Sequence, residues 1–168
     1  KAKYKIGVYG NHDASKEFRK KDSVFLSRLL KTINETGIKM LINQGEVIEI
    51  KSQKIYFGGI SDLFSKDFNV NLAMEDCPKD ASVKVLLSHN PDIIDFIEKR
   101  DGIDLILSGH SHSGQIHLEP FGALLPMPVK HKWLTRGLFN LGNGTKLFIT
   151  QGAGYSSTRV RIGTKAEI

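Results

Sequence analysis

The sequence predicts an α/β fold, a layered β-sheet with flanking helices, and three observations carry that prediction. Short runs rich in β-formers alternate with segments whose apolar residues recur every three or four positions, the pattern of helix laid on sheet. Turn signals such as Asn43-Gln44-Gly45 and Gly142-Asn143-Gly144 separate them. The polar clusters at Asn11, His89 and His110 each lie just past the carboxyl end of a predicted strand, where open α/β sheets place their sites.

The elements follow in order. Lys3 to Tyr9 alternates and reads as a strand ending at Gly10-Asn11-His12-Asp13. Asp22-Ser23 caps a helix whose apolar face is Val24, Phe25, Leu26, Leu29, Leu30 and Ile33, stopped at Gly37. Ile38 to Ile42, Val47 to Ile50 and Lys54 to Phe57 are strands, the last two a hairpin turning at Ser52-Gln53, with Gly58-Gly59 as a break. Asp62 to Asn69 is a polar loop, and Asn71 to Asp76 a short helix ended by Pro78. Ser82 to Leu87 is a buried-type strand, followed by a short helix that Pro91 opens and Asn90 caps. Asp104 to Leu107, Gln115 to Leu118, Lys146 to Thr150 and Thr158 to Ile162 complete the strands. No repeat or linker divides the chain, so residues 1–168 read as one domain.

Composition excludes several classes. With 40% hydrophobic and 25% charged residues the chain is neither disordered nor collagen-like. A net charge of +6 favours an anionic partner such as phosphate, nucleic acid or an acidic lipid surface. The positive charges are scattered, however, with no arginine-rich helix and no aromatic-basic pattern, so no specific nucleic-acid partner is expected. A single cysteine, Cys77, excludes an intrachain disulfide and a Cys-rich zinc site. The longest apolar runs fall far below the roughly 18 residues of a membrane span, and no signal-peptide pattern opens the chain. Starting at Lys1, close to a strand, the chain reads as a fragment or processed product. Its compartment, whether cytoplasmic, membrane-associated or exported, then depends on what precedes Lys1.

The chemistry concentrates in three motifs. Ser108-Gly109-His110-Ser111-His112-Ser113-Gly114 places two of the six histidines at spacing two. In extended backbone such residues face one side, so both imidazoles would aim at one point, as suits zinc, copper, iron, nickel or, with oxygen ligands, manganese. The competing reading is an exposed polar loop. Asn11, His89, His110 and His112 together offer three imidazoles and an amide oxygen, an open set without thiolate and without an obvious carboxylate. His12-Asp13 forms a separate pair in which the carboxylate would fix the imidazole as a proton donor or a cationic stabiliser of phosphate. Gly-Asn-His-Asp also fits a plain polar turn, and His89 a helix start. His117, His131 and Cys77 read as bystanders.

Taken in order, Gly10-Asn11-His12-Asp13, Ser88-His89-Asn90-Pro91-Asp92 and Gly109-His110-Ser111-His112-Ser113-Gly114-Gln115 resemble the calcineurin-like metallophosphoesterase superfamily. Arg136 to Phe139, Lys146 to Gly154, Arg159 to Gly163 and Glu167-Ile168 are similar to its bacterial branch of YkuE and YaeI type phosphodiesterases, with a UDP-diacylglucosamine pyrophosphatase. The resemblance implies a metallophosphoesterase-like sandwich lacking its N-terminal strands, and a metal-dependent phosphoesterase cleaving a phosphodiester or pyrophosphate with a metal-bound hydroxide.

Carried over by resemblance, Asn11, His89 and His110 would bind one divalent ion and His112 another, with manganese, iron or zinc as the ions. His12 would sit by the scissile phosphate and Asp13 would orient it. The family's Asp-x-His and Gly-Asp motifs, which hold the carboxylate ligands, are not among residues 1–168, so this chain by itself is expected to keep one ion or none. The implied partners are a phosphorylated small-molecule or lipid-linked substrate, the missing N-terminal segment or a swapped copy that supplies it, and a membrane reached through that segment. A non-catalytic metal-binding or interaction module is the alternative.

Overall fold

The computed structural model describes residues 2–13, 24–65, 67–98, 102–142, 144–156 and 159–167. They form two compact units, Lys1–His89 and Asn90–Ile168. The architecture is mixed α/β, with strands dominating and few helices.

In the first unit, β1 (Ile6–Gly7) pairs in parallel with β2 (Lys39–Met40). Three paired strands follow: β3 (Gln44–Ile50) is antiparallel to β4 (Gln53–Gly59), and β4 is parallel to β5 (Val83–Leu87). Helix α1 (Val24–Glu35) precedes β2 and ends before Gly37, whose φ of 71° supplies the left-handed stop. Its expected cap at Asp22-Ser23 lies outside the described residues. The expected strand Lys3–Tyr9 shortens to Ile6–Gly7, because alternation marks only which side faces inward while the available partner sets the length of the ladder.

Two expected breaks are instead parts of strands. Gln44 and Gly45 pair with Gly59 and Gly58, closing the wide end of the hairpin. These glycines are there for close approach. A Cβ on Gly45 would stand 1.7 Å from the Tyr56 hydroxyl, on Gly58 2.6 Å from the Ala73 carbonyl, and on Gly59 2.4 Å from the Leu41 Cβ. The hairpin turns at Lys51-Ser52, both left-handed (φ 49° and 62°), a type I′ geometry reached without the usual Asn-Gly.

Helix α2 (Val70–Met74) is capped by Asn69, whose Oδ1 accepts the Leu72 N–H at 3.0 Å. It is tied to β4 by the Tyr56 hydroxyl, which donates to the Ala73 carbonyl at 2.8 Å. Tyr9, Leu41, Ile48, Tyr56, Ile60, Val85 and Leu86 are buried in this unit. Tyr56 has its phenol pushed up to about 12 by burial, with the Cys77 and Asp76 charges adding.

In the second unit, Pro91–Phe96 is a 3-10 helix capped by Asn90, whose side chain accepts the Asp92 N–H at 2.9 Å. Strand β6 (Leu105–Ser108) runs parallel to β10 (Lys146–Ile149), which pairs antiparallel with β9 (Gly137–Asn140). Periodicity alone does not mark β9, since Leu138 stays 60% exposed and only the β10 ladder holds the strand in place. A small ribbon pairs β7 (His117–Leu118) with β8 (Gly122–Ala123). The expected strand Gln115–Leu118 loses its start because Gln115 is left-handed at φ 56°. Of the expected strand from Thr158 to Ile162, Thr158 lies outside the described residues. Among residues 159–162 only Ile162 bridges, to Ile116. Ile93, Ile103, Ile106, Leu134, Leu147 and Ile149 are buried here. No helix among the described residues is long and apolar enough to cross a membrane.

Candidate metal and phosphate site

Beyond β1 the chain closes a tight turn: the Asp13 N–H donates to the Gly10 carbonyl at 3.0 Å and the Gly10 N–H donates to Asp13 Oδ2, also at 3.0 Å. Gly10 lies flat on an imidazole. A Cβ there would stand 2.9 Å from His89 Cε1 and Nε2, so the backbone reaches the ring only because the residue is glycine. That contact seats Asn11, whose Oδ1 lies 3.0 Å from His89 Nε2. An amide oxygen only accepts, so the imidazole donates Nε2–H. His89 itself follows β5 by two residues.

With the Nε2 proton lost, as metal binding requires, Asn11 Oδ1 and His89 Nε2 are spaced to share an ion. Two donors each about 2.1 Å from one cation and at right angles to each other stand about 3 Å apart, the separation seen here. An amide oxygen and an imidazole also belong to the ligand types of divalent transition metals. His12 is exposed beside them. The Asp13 carboxylate is engaged by its own turn through Gly10, and it lies near the Tyr9 phenol, whose pKa rises chiefly through burial and secondly through that carboxylate.

In the second unit, the His110 to Gln115 turn departs from the extended backbone expected of it. His110, His112, Ser113, Gly114 and Gln115 all have positive φ, from 48° to 70°. Residues 112–114 form a tight turn rather than a strand, so the rule that i and i+2 share a face does not apply to His110 and His112. Left-handed non-glycine residues cost about 1–3 kcal/mol each unless their surroundings hold them, and such strain gathers at functional sites. Here the surroundings are polar bonds. Ser111 Oγ donates to the Thr135 carbonyl at 2.5 Å and accepts the Ser113 N–H at 3.2 Å. The Gly114 N–H donates to the Ser111 carbonyl at 2.8 Å.

His110 is buried, and its Nε2 lies 2.9 Å from the Pro128 carbonyl. A carbonyl only accepts, so Nε2 carries the proton and Nδ1 becomes the lone-pair nitrogen, the form a metal ligand takes when its other nitrogen is held by a carbonyl. The Pro128 loop is in turn fixed by Asp92. Its Oδ2 accepts the Lys130 N–H at 2.6 Å and its Oδ1 the His131 N–H at 3.1 Å. Asp92 stands in a motif visible in the sequence, whereas nothing in the sequence marks Pro128.

The bystander histidines have carboxylate neighbours of their own. His131 Nε2 lies 2.8 Å from Asp95 Oδ1, and His117 Nε2 lies 3.2 Å from Glu119 Oε1. Hydrogen bonds from Lys130 and then His131 hold the Asp95 carboxyl below its ordinary range. Among the described residues no group of three or more His, Cys, Asp and Glu side chains gathers closely enough to hold a metal ion. The described donors therefore fit part of a metal shell.

YaeI, a phosphodiesterase of Escherichia coli, is 28% identical over 97% of this chain and 56% of its own length. LpxG of Chlamydia trachomatis, a UDP-2,3-diacylglucosamine pyrophosphatase, is 30% identical over 83% of this chain and 43% of its own. The NAD nucleotidase of Haemophilus influenzae shares the fold with a TM-score of 0.54 at 18% identity, covering 89% of this chain and 30% of that one. The chain spans about half the length of the curated relatives it matches. Residues 1–114, which hold Asn11, His89, His110 and His112, match the calcineurin-like phosphoesterase family model. The chain belongs to the calcineurin-like phosphoesterase family.

Proposed function

We propose that the complete protein is a metal-dependent phosphoesterase that hydrolyses a phosphodiester or a pyrophosphate, and that this chain contributes the imidazole and amide part of its site. The observation that carries the reading is the Asn11 Oδ1 to His89 Nε2 approach at 3.0 Å, built by a glycine that admits the ring. In this reading Asn11 and His89 in the first unit, and His110 and His112 in the second, are ligands for divalent ions, with manganese, iron or zinc as candidates. Bound ions supply an acidified water and neutralise charge growing on the phosphoryl oxygens.

The chain's own residues do the rest. Gly10 and Asp13 hold the turn that presents Asn11, and the Pro128 carbonyl holds His110 in one tautomer. His12, exposed at the same turn, donates a proton or a positive charge to the phosphate. The names of YaeI and LpxG, a phosphodiesterase and a pyrophosphatase, support the substrate class.

The test is hydrolysis of bis-p-nitrophenyl phosphate by the complete protein with and without manganese, beside a direct titration of the metal. Manganese-dependent turnover that disappears in His89→Ala supports the reading. Metal binding without turnover on diesters and pyrophosphates makes the protein a non-catalytic metal-binding module.

A further inference from the structure

The second unit holds a cavity of about 610 Å³ lined by Phe121, Leu124, Leu125, Met127 and Lys132 among others, a volume in the range of small-molecule sites. It shares a wall with the histidine turn. A Cβ on Gly114 would stand 2.4 Å from the Ala123 Cβ and 3.5 Å from the Met127 Cγ, and both of those residues line the cavity. Met127 immediately precedes Pro128, whose carbonyl holds His110. The cavity is therefore adjacent to the turn that carries His110 and His112.

The lining is apolar where it is most open. Phe121 is 78% exposed and Leu124 51%, large hydrophobic side chains that the unit itself leaves in water. The charge beside them is positive. Lys132 Nζ donates to the Met127 and Val129 carbonyls at 2.6 Å each, which fixes the ammonium at the cavity and uses two of its three protons.

We propose that this cavity receives the hydrocarbon tail of an amphiphilic phosphate substrate, with the phosphate at the histidine turn and Lys132 beside it. The proposal rests on the phosphoesterase reading and narrows it to lipid-linked phosphates. A mostly apolar lining, with His117, Thr135 and the fixed Lys132 ammonium as its polar side chains, suits an acyl or alkyl chain carrying an anionic head. A nucleoside, which needs several hydrogen-bonding partners for its base and sugar, would find few along Phe121, Leu124, Leu125 and Met127. The diacylated substrate in the name of LpxG points the same way.

The experiment is calorimetric titration of the complete, manganese-loaded protein with dodecylphosphonate and with butylphosphonate, both below micelle-forming concentrations. Their carbon–phosphorus bonds are not hydrolysed, so binding is read without turnover. Burial of the longer tail is expected to favour dodecylphosphonate by at least about tenfold. That ratio is expected to fall to about one in Leu125→Asp and, as an independent exposed position, in Phe121→Ser.

Equal affinities in the unaltered protein, or a ratio unmoved by both substitutions, overturn the proposal. So does binding to phosphatidylglycerol vesicles without binding to monomeric dodecylphosphonate, which would make the apolar loop a membrane contact. Failure of dodecylphosphonate to bind also overturns it. Loss of the phosphoesterase reading is distinguished separately, because bis-p-nitrophenyl phosphate carries no alkyl tail and its hydrolysis does not depend on the cavity.

Discussion

The Pro128 carbonyl accepts the Nε2 proton of His110 at 2.9 Å, and this one bond decides which nitrogen of the imidazole presents a lone pair. A residue 18 positions away thus sets the chemistry of a candidate ligand. Pro128 is itself held in place by the two backbone N–H groups that Asp92 accepts at Lys130 and His131.

Replacing Asp92 by Ala leaves those two N–H groups without their acceptor. The expected loss is on the order of 2–3 kcal/mol in stability, read by urea denaturation, because Asp92 is buried. Nitrogen-15 spectra of His110 should also show Nε2–H mixing with Nδ1–H. An unchanged tautomer would mean that Pro128 holds its position without Asp92.

At Gly10 an added methyl meets the His89 ring at 2.9 Å, so Gly10→Ala must displace either the ring or the Asn11 turn. The fold should survive, since Gly10 lies beyond the end of β1 and outside its ladder with β2. Manganese affinity is expected to fall about 10- to 100-fold, the size of effects seen when a ligand's support is removed. Unaltered affinity would show that Asn11 and His89 do not act as a pair.

Removal of the imidazole in His110→Ala should abolish or strongly weaken metal binding. The buried bond to the Pro128 carbonyl goes with it, so stability should fall by about 1–3 kcal/mol. A loss of several kcal/mol with metal content intact would make His110 a structural residue, held for its bond to Pro128.

Tyr56 provides a pH-dependent test of the first unit. Its folded pKa is raised from 10.0 to about 12, so the folded state keeps a proton that the unfolded chain would release. The associated stability is complete below pH 10 and is lost as pH rises from about 10 towards 12. Tyr9 is also raised, so absorbance near 295 nm should show more than one late phenol, and Tyr56→Phe should remove the component that ionises towards pH 12. The same substitution should cost about 1 kcal/mol at neutral pH through the bond to Ala73. A phenol still ionising near pH 12 in the Phe variant would locate that shift at another tyrosine.

Much of the fold is legible in local patterns. The hydrophobic run at Val83–Leu87, the Asn90-Pro91 start of the 3-10 helix and the β3–β4 hairpin all appear close to where periodicity and turn chemistry place them. Gly45, Gly58 and Gly59 are misread as turn residues, because a glycine's meaning depends on what comes near it. Here it is a tyrosine ring, a helix carbonyl and a leucine from other elements. Strand β9 and the bridge at Ile162 depend on a partner strand or residue, and so escape any single-segment pattern.

By itself the sequence determined the α/β class, the three polar clusters at strand ends and the membership of the calcineurin-like phosphoesterase family, because each is written in residues near one another in the chain. Only the tertiary structure decided that Gly10 lies on His89, that Asn11 reaches Nε2, and that Pro128 fixes the His110 tautomer. It also turned His110 and His112 left-handed, against the extended geometry that spacing alone suggests. The physical reason is the same throughout. Burial and hydrogen bonding act between atoms brought together from 18 to 78 residues apart, and those contacts, rather than local preference, select the backbone angles and the proton positions of the site.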